Sequence, residues 1–180
     1  MAFVSDNMKM ALATTHIALK EVPEAIDSDL LIETIEIIEK DMQVFFGLKK
    51  PTIGVLGLNP HAGEEGLLGK EELLIIEPTI QYLRKKNKNI IGPISADTAF
   101  LQNLDLDIIL ALYHDQGLPL FKFVNPHQAA NVTLGLPIIR TSVDHGIALD
   151  LTASNNVNNE SLHYALMTAK KMYQIYAEKN

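Results

Sequence analysis

Hydrophobic positions along the chain fall into two patterns, stripes at helical spacing and short continuous apolar runs. The first stripe predicts a helix that follows Ser28, its expected N-cap, and stops at Gly47. A second helix is expected over residues 70–86, where Pro78 should kink or divide it. The apolar positions of the first stripe are Leu31, Ile35, Ile38, Met42 and Phe45.

A long helix is also predicted near the end of the chain, over residues 160–178. Its apolar stripe is expected to pack against the rest of the protein, as such stripes do on most helices of globular domains. A shorter helix is expected to begin at Thr98, with Asp97 as its cap. The stripe of the long helix consists of Leu162, Leu166, Ala169, Tyr173 and Tyr176.

The short apolar runs predict strands that alternate with these helices. Such alternation favours an α/β fold with a mostly parallel sheet. The chain contains no internal repeat and no low-complexity linker, so residues 1–180 are expected to form a single structural unit. The predicted strands lie in residues 8–14, 52–58, 89–94, 107–112 and 131–139.

Composition narrows the classes of function. The 180 residues are 47% hydrophobic, enough for one core, and the net charge of -7 argues against a nucleic-acid partner. Cysteine is absent, so a metal would be held by histidine or carboxylate. No apolar run is long enough to span a membrane, and the first residues do not resemble a secretory signal. We therefore expect a soluble, cytoplasmic protein without a membrane partner.

Three histidines follow predicted strands directly. His16, His61 and His114 each come after an apolar run and precede a loop. Because ligands of parallel α/β sheets gather at the carboxyl ends of the strands, the shared placement favours a metal site over three unrelated surface residues. Three neutral imidazoles suit Zn²⁺ or Co²⁺ and leave coordination positions open for a substrate. The spacing contains no short metal-binding motif such as HExxH.

Polar side chains also interrupt the apolar segments after His114. Lys122 and Arg140 can bind phosphate or carboxylate, and Asn131 lies between them in the chain. Ordinary solvated surface charges are the alternative interpretation. No GxGxxG or GxxxxGK[ST] motif occurs, which disfavours a standard Rossmann or P-loop site.

Several ordered motifs together resemble the 4-hydroxythreonine-4-phosphate dehydrogenase family across nearly the whole chain. The resemblance implies an α/β/α sandwich with a mostly parallel sheet, similar to the isocitrate and isopropylmalate dehydrogenases. It also implies that the chain is the C-terminal portion of a longer two-domain enzyme. The motifs are TTH at 14–16, LNPHAGE at 58–64, GPISADT at 92–98, YHDQGLP at 113–119 and TLGLPIIRTSVDHG at 133–146.

The resemblance assigns provisional roles to individual residues. It implies a divalent metal, Zn, Co or Mg, on His16, His61 and His114, and Asp97 is a candidate metal or supporting residue. In the family these ligands come from both subunits of a homodimer with a shared active site. The substrate-binding positions it implies are Lys122, Asn131 and Arg140. The positions it implies for NAD, or alternatively NADP, are Asp144, His145, Gly146 and Ala148.

The implied activity is oxidation of 4-phosphohydroxy-L-threonine, followed by decarboxylation to 3-amino-2-oxopropyl phosphate, in pyridoxal phosphate (vitamin B6) biosynthesis. Two alternatives remain at the level of sequence. One is a related dehydrogenase acting on another phosphorylated hydroxy acid, such as threonate or erythronate phosphate. The other is an inactive, truncated module that binds metal and dimerises. The chain also departs from the family pattern at Glu65 and Ile147, where glycine and threonine are usual.

Overall fold

A computed structural model describes residues 1–101, 104–144 and 159–179. Within this part of the chain, one mixed sheet of seven strands has the order β4-β3-β5-β2-β1-β6-β7. The strands β2, β3, β4 and β5 are mutually parallel, whereas β1, β6 and β7 extend the sheet beyond β2 with antiparallel pairs. The strands are β1 Ala2–Val4, β2 Lys9–Leu12, β3 Ile53–Leu56, β4 Ile90–Ile94, β5 Ile108–Ala111, β6 Ala130–Val132 and β7 Thr141–Ser142.

Helices cover both faces of this sheet. The helices α2 and α3 pack on one face, where their side chains share a core with Ile53, Val55 and Leu110. On the other face, Leu118 and Phe121 of α4 pack against Met10 and neighbouring strand residues. This arrangement confirms the predicted three-layer α/β/α organisation. The helices are α1 Val22–Ala25, α2 Ser28–Phe46, α3 Glu77–Lys85, α4 His114–Val124 and α5 Glu160–Lys179.

The helix α2 forms where the first hydrophobic stripe predicts it. Leu31, Ile35, Ile38 and Met42 are buried, and each such side chain contributes about 1.5–3 kcal/mol when it leaves water. The end of the helix also agrees, because Gly47 takes up the left-handed conformation with φ 75°. The predicted cap is wrong by one residue.

Asp27 is the N-cap of α2, since its carboxylate accepts a hydrogen bond from the amide of Leu30 at 2.7 Å. The hydroxyl of Ser28 has a different partner and accepts a hydrogen bond from Thr79 Oγ1 at 2.9 Å. Serine and aspartate are both good N-caps, so sequence alone could not choose between adjacent candidates.

The predicted second helix is divided, as Pro78 suggested. A π-helical turn, Glu72–Ile76, leads directly into α3, and Pro78, which has no N–H to donate to the preceding turn, lies at the start of α3 where the helix type changes. The helix expected from Thr98 does not form in the described residues. Residues 96–101 make turns in which the amides of Thr98 and Ala99 donate to the carbonyl of Ser95.

The packing face of α5 differs from the prediction. The helix buries Ser161, Ala165 and Met172, and it lies against α2, β6 and β7. The predicted stripe is largely exposed, with Leu166 at 61% and Tyr173 at 63%. Contacts of α5 with α2, β6 and β7 thus select the face with Ala165 and Met172 over the face with more large apolar side chains. No helix among the described residues is long and apolar enough to cross a membrane.

Candidate active site at the carboxyl edge of the sheet

The carboxyl ends of β2, β3, β4 and β5 meet along one edge of the sheet, because these strands are mutually parallel. The segments that follow them carry His16, His61, Asp97 and His114, respectively, and His114 is the first residue of α4. At this edge, Thr14 Oγ1 donates a hydrogen bond to the carbonyl of Leu112 at 2.7 Å, which joins the segment after β2 to the segment after β5. The four side chains therefore collect where ligands of parallel α/β sheets bind.

Two of the candidate metal ligands, His16 and His114, form a close pair. Their ring centroids are 5.5 Å apart, and the planes are inclined by 45°. Two imidazoles bound to one tetrahedral ion, with metal–nitrogen distances of about 2.0–2.1 Å, would place their centroids about 5 Å apart. The spacing of this pair therefore fits a shared divalent ion.

His61 pairs with Asp97 in the same structure. Its Nε2 lies 3.8 Å from Asp97 Oδ2, and both side chains are exposed. Among residues 1–101, 104–144 and 159–179, no group of three or more His, Asp or Glu side chains is close enough to hold a metal ion. The chain thus brings together two predicted ligands, and it places the third beside an acidic partner.

Carboxylates within the same loops engage the other ring nitrogen of two histidines. His61 Nδ1 is 2.5 Å from Glu64 Oε1, and His114 Nδ1 is 2.6 Å from Asp115 Oδ1. Such contacts fix the ring and leave Nε2 as the nitrogen available to a metal. Sequence reasoning missed both carboxylates, although each lies within three positions of its histidine.

The charges around His61 alter its proton affinity. The hydrogen bond to Glu64 raises the pKa of His61 above 6.5, and the negative charges of Glu64 and Asp97 raise it further. Conversely, the pKa of Asp97 is lowered, chiefly because Ser95 Oγ donates a hydrogen bond to Asp97 Oδ1 at 2.5 Å. Asp97 is therefore an anionic acceptor at neutral pH.

The loop that carries His61 has an unusual backbone. From His61 to Glu65, all residues have left-handed φ values between 43° and 81°. For a residue other than glycine this conformation costs about 1–2 kcal/mol, so contacts from outside the loop must hold it. Glu65 has φ 54° and is one of the residues other than glycine in this conformation.

The predicted substrate residues lie towards the other side of the sheet. Asn131 is within β6, opposite Phe3 and Ser142, and its Oδ1 is buried with no hydrogen-bond partner among the described residues. Arg140 is exposed just before β7, where its Nη1 donates to Thr133 Oγ1 at 2.6 Å. Because β6 runs parallel to β2, the β6–β7 turn that bears Arg140 lies at the carboxyl edge.

Lys122 lies in the last turn of α4, and its ammonium donates to the carbonyl of Asp144 at 2.6 Å. A predicted substrate residue thus contacts the first of the predicted NAD-binding residues. The other predicted cofactor positions, His145, Gly146 and Ala148, lie outside the described residues, as does Ile147.

Fold and edge together define an α/β protein with a histidine- and carboxylate-lined site at the ends of parallel strands. Residues 1–169 match the family described as pyridoxal phosphate biosynthetic protein PdxA. Because this match covers most of the chain, the chain belongs to the PdxA family.

Named relatives agree with this assignment. The chain is 52% identical to a 4-hydroxythreonine-4-phosphate dehydrogenase of Ectopseudomonas mendocina over 174 residues, which are 96% of this chain and 52% of the relative. It is 49% identical to the protein of the same name from Pseudomonas syringae pv. tomato, with coverage of 98% and 54%. The chain thus spans about half the length of the curated relatives it matches.

Solved structures show the same architecture. The 4-hydroxythreonine-4-phosphate dehydrogenase of Klebsiella pneumoniae has a TM-score of 0.83 at 34% identity, with 95% of this chain and 53% of that chain covered. A terephthalate 1,2-cis-dihydrodiol dehydrogenase of Burkholderia xenovorans has a TM-score of 0.77 at 27% identity, with coverage of 94% and 54%. The likeness to the former confirms the expected isocitrate/isopropylmalate dehydrogenase-like fold.

Proposed function

We propose that this chain forms part of a divalent-metal- and NAD-dependent dehydrogenase. Its substrate would be 4-phosphohydroxy-L-threonine, oxidised and then decarboxylated to 3-amino-2-oxopropyl phosphate in pyridoxal phosphate biosynthesis. The observation that carries the proposal is the close pair of His16 and His114, whose ring centroids are 5.5 Å apart. This pair lies on the same sheet edge as His61 and Asp97. Membership of the PdxA family supports the choice of reaction.

The side chains at the edge suit the parts of this reaction. His16, His61 and His114 would hold Zn²⁺, Co²⁺ or Mg²⁺, of which the first two match imidazole better. Lys122, Asn131 and Arg140 would bind the anionic and polar groups of the substrate. When bound, the ion would supply Lewis acidity at the substrate oxygens, and NAD, or alternatively NADP, would accept hydride.

The protein environment would contribute orientation and charge. Glu64 and Asp115 hold the Nδ1 atoms of their histidines, so the opposite nitrogens point away from these carboxylates. Asp97 keeps a negative charge near His61, and it is a candidate ligand or supporting hydrogen-bond acceptor. Asp144, His145, Gly146 and Ala148 would bind the adenosine part of the cofactor.

A homodimer with shared sites forms part of the proposal. The supporting observation is that the described residues of one chain bring two candidate ligands together but hold no group of three. A second copy could supply the missing ligand. An obligate interface of this kind should bury at least roughly 2,000 Å² in total. We also place the protein in the cytoplasm, where a nucleotide-linked biosynthetic enzyme would find its substrates.

Substrate specificity tests the proposed reaction. NADH formation would be measured for the chain alone, and mixed with the remaining half of the Ectopseudomonas mendocina relative, on 4-phosphohydroxy-L-threonine, threonate phosphate and erythronate phosphate. We expect the first substrate to be preferred. Preference for another would favour the related-dehydrogenase alternative, and inactivity in both settings would favour the inactive module.

Charge-removing variants assign the substrate residues. Arg140→Ala should weaken substrate binding by about tenfold or more while changing NAD binding much less, because a lost charged contact costs about 1.5–3 kcal/mol. Lys122→Ala should weaken substrate binding to a similar extent, and the loss of its hydrogen bond to Asp144 should also affect NAD binding. Lys85→Ala, at an exposed position on α3, is the matched control. Equal losses of substrate and NAD affinity in Arg140→Ala, or unchanged substrate affinity in either variant, would contradict the assignment.

A further inference from the structure

A buried carboxylate lies beneath the left-handed loop that carries His61. Glu72 is 3% exposed and begins the π-helical turn that precedes α3. Its Oε1 accepts hydrogen bonds from the backbone amides of Leu58 and Asn59 at 2.7 and 2.8 Å. Its Oε2 accepts from the side-chain amide of Asn59 at 2.9 Å. The carboxylate therefore binds the chain where it leaves β3 and enters the loop.

The loop closes tightly around this carboxylate. A Cβ atom added to Gly63 would lie 2.6 Å from Glu72 Oε2, and one added to Gly57 would lie 3.2 Å from Oε1. Gly63 also has φ 81°, so both its conformation and its surroundings require glycine. Glu72 thus lies close to Gly57, directly after β3, and to Gly63, two residues beyond His61.

The role of Glu72 differs from that of a metal ligand. Both of its oxygens already accept hydrogen bonds from the loop, and its side chain is shielded from solvent. The side chain of His61, by contrast, is exposed. A charged acceptor forms stronger bonds than a neutral one, which suits an anchor for a strained backbone.

We propose that Glu72 is a positioning residue, which fixes the left-handed loop and thereby the direction of the His61 imidazole. Its relevance to metal binding rests on the function proposed above. The carboxylate acts through the backbone of Leu58 and Asn59, and it does not contact the substrate or the ion.

The test is Glu72→Gln in the purified 180-residue chain. Glutamine keeps the volume and one oxygen, but it directs an NH₂ group at the side-chain NH₂ of Asn59, so one hydrogen bond is lost. We expect faster hydrogen exchange at the amides of residues 58–68. We also expect Co²⁺ to bind about tenfold or more weakly, within the range seen when supporting contacts of metal ligands are removed. The visible spectrum of the bound Co²⁺ should approach that of His61→Ala.

The matched control is Asp107→Asn. Asp107 also accepts a backbone hydrogen bond, from Thr52 at 2.8 Å, but it does so before β5, at the opposite edge of the sheet. This variant should keep the wild-type Co²⁺ spectrum and loop exchange even if it unfolds at a lower temperature. A merely structural role for Glu72 would make the two variants alike, and that result would overturn the proposal.

Two further outcomes are separable. If Glu72→Gln does not fold, Asn59→Ala replaces it, because this change removes the side-chain hydrogen bonds of Asn59 to Glu72 and Glu71 and keeps the buried carboxylate. Unchanged loop exchange and Co²⁺ affinity in Asn59→Ala would then reject the anchor. If His61→Ala leaves Co²⁺ binding unchanged, the metal site is not at His61. Hydrogen exchange at the amides of residues 58–68 in Glu72→Gln then decides the positioning role. Faster exchange than in the wild type supports this role, and exchange at the wild-type rate overturns it.

Discussion

His61 and His114 share a local arrangement in which the Nδ1 atom contacts a carboxylate close in the chain, Glu64 for His61 and Asp115 for His114. Because the carboxylate favours a proton on Nδ1, Nε2 keeps its lone pair for a metal. At His61, however, the Glu64 carboxylate also stabilises the doubly protonated imidazolium, which cannot bind a cation. Metal and proton therefore compete at this residue.

The competition predicts a particular pH dependence. The pKa of His61 is raised above 6.5, chiefly by Glu64, so lowering the pH should weaken metal binding earlier than for an ordinary histidine. In Glu64→Gln the pKa should fall and the onset of the loss should move to lower pH. Above both pKa values the variant should bind about tenfold more weakly, because the supporting carboxylate is gone.

Calorimetric titration with Zn²⁺ between pH 5.5 and 8 would measure this effect. Glu65→Gln is the control, since Glu65 is the adjacent exposed carboxylate and is not among the groups that shift the pKa of His61. If metal binding begins to weaken at the same pH in the wild type and in Glu64→Gln, Glu64 does not control the protonation of His61.

At the scale of elements, periodicity predicted most helices and strands, and tertiary contacts decided the rest. The α2 stripe is buried as predicted because its large apolar residues share one face. The opposite outcome at α5 arises because two faces of that helix carry apolar residues, and contacts with α2, β6 and β7 select the face with Ala165 and Met172. The left-handed loop was not predictable, since four of its residues are not glycine and a distant carboxylate, Glu72, contacts it.

The corrected cap of α2 yields a stability prediction. Asp27→Ala should lower the free energy of unfolding by about 1 kcal/mol, because the amide of Leu30 loses its acceptor at the helix start. Urea denaturation would measure the change. Glu33→Ala, at an exposed position one turn later, should change stability by less than about 0.5 kcal/mol. Equal effects in the two variants would mean that Asp27 does not cap the helix.

At the scale of the whole molecule, the sequence predicted an α/β fold and a polar edge, but it did not predict the sheet order. The antiparallel pair β1–β6 joins Ala2–Val4 to Ala130–Val132, segments far apart in the chain, for which short-range periodicity carries no information. The edge itself was predictable because parallel strands end together, which is why His16, His61 and His114 could be selected from position alone. Their supporting carboxylates, Glu64 and Asp115, became evident only from the side-chain contacts in the structure.

The division of the histidines is also a property of the molecule as a whole. His16 and His114 approach each other across β2 and β5, two neighbouring strands, while His61 follows β3 on the far side of β5. One chain therefore offers a pair and a separate third imidazole. This separation, together with the half-length match to the relatives, is what a site completed by another chain or segment would show.

The most direct test of the account is Co²⁺ affinity in the wild-type chain and in His16→Ala, His61→Ala and His114→Ala. His163→Ala, at an exposed position on α5, serves as the control. We expect each of the three substitutions to lower the affinity by about tenfold or more, because each removes a ligand, and the control to bind as the wild type does. Wild-type affinity in all three variants would contradict the metal site on which the proposed function rests.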